Sequence, residues 1–132
     1  MMAVDTSAII AIMGRESGYE KFLDILDVTK NVAVSTAIVL EATQIASRWG
    51  EAAAIAGVDD TLAAFGAKIW AVDATQIQIA RQAFLRFGKG RGHRAQLNQM
   101  DCLSYALAQM LDAPLLFKGG DFIHTDVKQA LA

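Results

Sequence analysis

The chain has 132 residues, 54% of them apolar, with a formal net charge of −2 and 20% charged residues. That length suits one domain spanning 1–132 with a sizeable core, and the near-neutral balance excludes a protein that coats nucleic acid by charge alone. The single cysteine, Cys102, excludes an internal disulfide and fits a reducing, cytoplasmic setting, while no apolar run approaches a membrane span and the first residues lack the pattern of a secretion signal.

Met2 to Val4 is a short apolar run ending at Asp5, followed by Thr6-Ser7 and then AIIAIM to Gly14. This reads as strand, turn and helix with glycine as the stop, so Asp5 stands where a strand ends and a helix begins. Tyr19 to Leu26 predicts a second helix with Phe22, Ile25 and Leu26 on one face and Glu20, Asp24 and Asp27 in solvent. After a turn at Asn31, Val32 to Ser35 predicts a buried strand. Thr36 to Trp49 predicts a helix whose Ile38, Ala42, Ile45, Ala46 and Trp49 form an inward stripe. Glu41 points along the border of that stripe, and a half-buried carboxylate there is costly unless a cation or hydrogen-bond donors meet it.

Glu51 to Phe65 is an alanine-rich helix that Gly57 can split. Lys68 to Val72 predicts a third strand, and Thr75 to Phe87 a helix with Ile79, Ala83 and Phe87 inward. Gly88 to Arg94, GKGRGHR, is a glycine-punctuated loop carrying Lys89, Arg91, His93 and Arg94. Leu97 to Leu111 reads as a helix with Leu103, Leu107, Met110 and Leu111 in one stripe and Asn98 and Asp101 in its first turn. Helix capping accounts for that pair, with Asn98 as N-cap and Asp101 at the positive end of the helix dipole. Pro114 precedes a fourth strand, Leu115-Leu116-Phe117, which runs into Lys118-Gly119-Gly120-Asp121. The tail from Phe122 to Leu131, with Thr125-Asp126, suits a short edge strand or helix.

Alternating strands and helices predict a three-layer α/β/α sandwich around a parallel sheet of four to five short strands. The functional crevice of such a sheet lies at the carboxyl ends of its strands. Asp5 and Asp121 fall there, and Glu41 and Asp101, near the starts of their helices, can reach it. Two unit charges 4 Å apart repel by about 4 kcal/mol at an effective dielectric of roughly 20, so converging acids either take up protons or bind divalent cations. Hard oxygen ligands without a His or Cys cluster point to magnesium or manganese. Such ions serve phosphodiester hydrolysis by polarising the phosphate and readying a water. The basic loop, through Lys89, Arg91 and Arg94, could hold a nucleic-acid backbone beside that acidic centre.

The chain resembles the PIN-domain ribonucleases, specifically the VapC-type toxins of bacterial toxin–antitoxin pairs. The matching segments are Val4-Asp5-Thr6-Ser7-Ala8, Ser35-Thr36-Ala37 leading to Glu41, Phe87-Gly88-Lys89-Gly90-Arg91, Leu97-Asn98 through Asp101 to Ala108, and Leu115 through Asp121-Phe122 to Thr125-Asp126. They fall in the family's order and cover nearly the whole chain. The resemblance implies magnesium-dependent, or manganese-dependent, endonucleolytic cleavage of RNA. It assigns Asp5, Glu41 and Asp101 to the three principal acids and Asp121 to the fourth. Ser7 and Asn98 take supporting places beside the pocket, and Asp126 takes either a supporting or a turn role. It also implies a homodimer silenced by a cognate antitoxin, for which the apolar residues Ile9, Ile10, Ile12, Phe22 and Leu26 of the early helices would offer a surface. A plain core role explains those residues equally well. The chain departs from the family pattern at Met100, where a small residue is usual, at Gly120 before the fourth acid, and at Gly92-His93 where His-Pro commonly follows the arginine.

Two other readings share these residues. One is a catalytically silent PIN-like domain that only binds a partner, for which Met100 is the best support. The other is a phosphoacceptor signalling domain with a magnesium-binding Asp pocket. That architecture wants an adjacent acidic pair at the end of the first strand, where this chain has Val4 and a lone Asp5.

Overall fold

Every residue of Met2–Val4 and Val32–Ser35 is buried, which marks these two runs as central strands of a sheet covered on both faces. In the computed structural model, which describes residues 1–131, they are β1 and β2, joined by β3 (Lys68–Trp70) and β4 (Leu115–Leu116). All pairings are parallel and the order is β3-β2-β1-β4. The register sets Ala3 beside both Ala33 and Leu115, and Ser35 beside Trp70.

The period-2 alternation of the strands divides the core in two. Met2, Val4, Val32, Val34 and Leu116 face one layer, formed by α1 (Thr6–Met13), α2 (Tyr19–Val28), α3 (Thr36–Ala46) and α4 (Val58–Ala64). Ala3, Ala33 and Leu115 face the other, formed by α5 (Ala74–Phe87) and α6 (Gln99–Met110). Two alanines at the centre of that second face let α6 lie close against the sheet. Residues 101–108 of α6 are consequently buried on every side, beyond the single stripe that its leucines predict. This is the α/β/α sandwich with a four-stranded parallel sheet anticipated from the alternation of elements.

Several local expectations are revised. Phe22, Leu26, Ile9 and Ile10 are buried in the first core cluster and Ile12 is packed against it, so they form core rather than a free surface. Regular α3 ends at Ala46 and continues as a 3₁₀ turn, Ser47–Trp49. Trp49 does not join the inward stripe: it is 47% exposed, its ring lying over Gly14, where a Cβ would meet it at 3.3 Å. The helix that Gly57 could split stays continuous: a π segment, Ala53–Gly57, runs directly into α4. On α5 the buried positions are Gln76, Ala80, Ala83 and Phe87, with Ile79 only partly covered. β3 is an edge strand, shorter and more exposed than the KIWAV run suggests. The tail makes turns and one parallel bridge, Leu115 to Gln129. No helix among the described residues is long and apolar enough to cross a membrane.

Candidate active site

The carboxyl edge of the sheet gathers the acids. β1 ends at Asp5, the N-cap of α1, whose Oδ2 accepts from Ser7 N–H at 3.0 Å and from the Ser7 hydroxyl at 2.7 Å. Its Oδ1 accepts from the Ser104 hydroxyl of α6 at 2.5 Å. Ser7 Oγ in turn accepts from Lys118 N–H at 2.9 Å. One carboxylate thereby ties together the ends of β1 and β4, the start of α1 and the buried body of α6.

Asp101 is held by a reciprocal cap. Its N–H donates to Asn98 Oδ1 at 2.8 Å, while its own Oδ2 accepts from Asn98 N–H at 3.0 Å. Burial drives the Asp101 carboxyl up to about 7; the Asn98 N–H opposes this, and the charges of Asp5, Asp121 and Glu41 add to it. Asp101 thus lies within electrostatic reach of the other three acids. Glu41, from the second turn of α3, is also raised, first by burial, with the Thr6 hydroxyl opposing and Asp5 adding. Thr6 Oγ1 is buried and faces Glu41 closely enough to oppose that rise, without completing a hydrogen bond of full geometry among the described residues. Asp121 is exposed, just beyond the turn made at Gly119 with φ +95°.

All four acids line a single cleft of about 460 Å³, together with Thr6, Ser7 and Asn98. Met100 is absent from that lining and is instead partly buried against the α5–α6 core cluster. Lys89, Arg91 and Arg94 lie on the exposed loop outside the cleft lining, where Arg91 Nε donates to the Leu85 carbonyl at 3.4 Å. Asp126 lies outside the lining too: it accepts from the Tyr105 hydroxyl at 2.6 Å and from Arg86 at 3.3 Å. Burial, with Asp126 adding, pushes the Tyr105 phenol up to about 12.

Sequence reasoning missed Ser104, Thr6, Arg48 and the Glu16–Lys118 ion pair, all of which line or support the cleft. Ser104 carries a findable signal, since it lies three residues after Asp101 and so on the same side of α6. Glu16 and Lys118 stand 102 residues apart and carry none.

No three acids among the described residues stand close enough to form a ready-made ion cage. Magnesium needs none, because it retains several waters and takes one or two carboxylates directly. The hard-oxygen acids around this cleft, five with Glu16, stand with no His or Cys in the lining and beside a buried Thr6 hydroxyl that completes no full hydrogen bond, and they fit such an ion.

A family model described as PIN domain matches residues 2–128. Ribonuclease VapC42 of Mycobacterium tuberculosis is 43% identical over 129 residues, covering 98% of each chain. Among solved structures, M. tuberculosis VapC20, described as a sarcin-ricin loop cleaving toxin, superposes with a TM-score of 0.77 at 15% identity over 98% of both chains. A toxin–antitoxin complex from Klebsiella pneumoniae superposes with a TM-score of 0.70 at 15% identity, over 96% of this chain and 93% of that one.

Proposed function

The chain belongs to the PIN-domain family, and from that premise we propose that it is a metal-dependent endoribonuclease, the toxin of a toxin–antitoxin pair acting in the cytoplasm as a single PIN-like domain. The observation that carries this reading is the single cleft lined by Asp5, Glu41, Asp101 and Asp121 in a chain whose 43%-identical relatives are ribonucleases. These four acids would hold magnesium, with manganese as the alternative ion. When bound, the ion neutralises charge at the scissile phosphate and acidifies the attacking water.

The chain's own residues prepare that place. Three donors on the two oxygens of Asp5 fix its orientation. The Asn98 N–H occupies Asp101 Oδ2 and leaves Oδ1 to the cleft. Asn98 and Ser7 therefore act as positioning residues, each holding a neighbouring acid. Asp126, committed to Tyr105 and Arg86, supports the α5–α6 surface rather than the acids. Lys89, Arg91 and Arg94 would meet RNA only outside the cleft, along its flanking backbone.

A cognate antitoxin and a second copy of the chain complete the reading. Support for the first is the fold shared with the Klebsiella toxin–antitoxin complex. Support for the second is the exposure of Ile77, Phe84 and Leu85 on α5. The deciding experiment incubates the purified chain with total cellular RNA, with magnesium or with chelator, beside Asp101→Asn. Cleavage that needs both the ion and Asp101 is expected; cleavage that survives chelation and substitution overturns the mechanism.

A further inference from the structure

Besides its acids, the cleft is lined by two cations, Arg48 and Lys118. Arg48 Nε donates to the Ile45 carbonyl at 3.0 Å and so closes the end of α3. Lys118 Nζ donates to Glu16 Oε1 at 2.8 Å, its one side-chain hydrogen bond among the described residues. An ammonium carries three donors, so this one has capacity to spare.

The backbone fixes where the pair stands. α1 closes with Gly14 N–H on the Ile10 carbonyl at 2.8 Å and Glu16 N–H on the Ala11 carbonyl at 2.9 Å, with Arg15 between them at φ 48°. That closure brings Glu16 to the cleft rim. Lys118 is anchored from the other side, since its N–H donates to the same Ser7 hydroxyl that donates to Asp5. The ammonium thus springs from a backbone two hydrogen bonds away from a principal acid. Both partners are partly exposed, 35% for Lys118 and 41% for Glu16, and an ion pair so placed is weakly held. A lysine is a point charge on a flexible stem, able to exchange one anion for another. An RNA phosphate entering among these carboxylates meets repulsion that one divalent ion would offset only in part, and the basic loop outside the cleft lining cannot relieve the rest there.

We propose that Lys118 is a substrate-binding residue whose ammonium, held by Glu16 in the free protein, moves to a phosphate of the RNA in the acid cleft. Glu16 is its competitor and tunes the affinity. The inference rests on the ribonuclease reading above.

Cleavage of total cellular RNA with magnesium is measured for the wild-type chain, Asp101→Asn, Lys118→Gln, Glu16→Gln and the Lys118/Glu16 double variant. Lys118→Gln is expected to raise KM about tenfold, mostly in KM rather than kcat, and to flatten its dependence on salt by about one phosphate contact. Glu16→Gln is expected to lower KM, and to do nothing further once Lys118 is Gln. A bridge that is only structural predicts that both single variants are impaired alike, because either one breaks it, and that result overturns the proposal. Should Lys118→Gln fail to fold, Lys118→Met takes its place in the same comparison: a raised KM that Glu16→Gln does not reproduce supports the proposal, and a KM equal to that of the wild-type chain overturns it. Asp101-dependent cleavage with KM unchanged in both variants overturns this inference and leaves the ribonuclease reading standing; absence of Asp101-dependent cleavage by the wild-type chain overturns both.

Discussion

Asp101 gives one carboxylate oxygen to a helix cap while its charge confronts Asp5, Asp121 and Glu41, so its local and long-range surroundings pull in opposite directions. Burial and the other acids prevail, and the group sits at about 7. Between the ordinary carboxylate range and that value the folded chain binds more protons than the unfolded one, so stability falls as pH rises through this window. Glu41, also raised, acts with the same sign. In chelator, the chain is therefore expected to melt lower at pH 8 than at pH 5. Asp101→Asn should shrink that gap and raise the melting temperature at pH 8, because its amide oxygen can keep the Asn98 contact without the charge. The same substitution should cost about a hundredfold or more in cleavage. Asp5→Asn predicts the opposite balance. Its two oxygens accept from three donors, so an amide nitrogen forces the buried Ser104 hydroxyl to turn from donor to acceptor. A loss of about 1–2 kcal/mol in chelator is expected, alongside lost cleavage. Denaturant melts of the two variants that move in the same direction would refute this contrast.

The cap of α6 carries both stability and function, and an element-level substitution separates it from its acid. Asn98→Ala removes the acceptor for Asp101 N–H and is expected to cost about 1 kcal/mol, with reduced cleavage because Asp101 loses half of its reciprocal hold. Asn98→Ser, which preserves a capping oxygen, should recover most of the stability. Chemical denaturation read beside RNA cleavage checks both. This element also shows what the sequence makes legible. Asn98 and Asp101 announce the cap by their spacing, and Asp5 and Asp121 announce the crevice by following apolar runs. Glu41 was visible because it borders a stripe that should exclude charge. The spacing from Asp101 places Ser104 on the crevice side of α6, but its partner is written nowhere nearby, because only the fold brings Asp5 to it across 99 residues. Trp49 misled because helical spacing continues past Ala46 while the backbone tightens to a 3₁₀ turn and leaves the ring on the surface. Gly57 marked a real irregularity, but a π segment is not written in its spacing; a Cβ there would meet the Met13 side chain at 3.2 Å.

At the scale of the molecule, a 54% apolar chain of 132 residues has more apolar surface than its two core clusters cover. Part of the surplus lies together on one side of α5, where Ile77, Phe84 and Leu85 are 41%, 42% and 54% exposed. With Leu103 and Cys102 of α6 they line an open groove of about 520 Å³. Burial, with the Asp101 charge adding, pushes the Cys102 thiol up to about 11, so this groove presents a protonated, unreactive sulfur rather than a nucleophile. A two-fold pairing through α5 would cover the same patch on both copies, and a net charge of −2 offers it little opposition. The wild-type chain is expected to sediment as a dimer at micromolar concentration. Leu85→Glu, which places a carboxylate at the most exposed of the three positions, should shift it to monomer with little change in melting temperature. Because all four acids line a cleft within one chain, that monomer should retain metal-dependent RNA cleavage. A wild-type chain that sediments as a monomer would remove the dimer from the reading, and a Leu85→Glu monomer without cleavage would mean that the working site needs both copies.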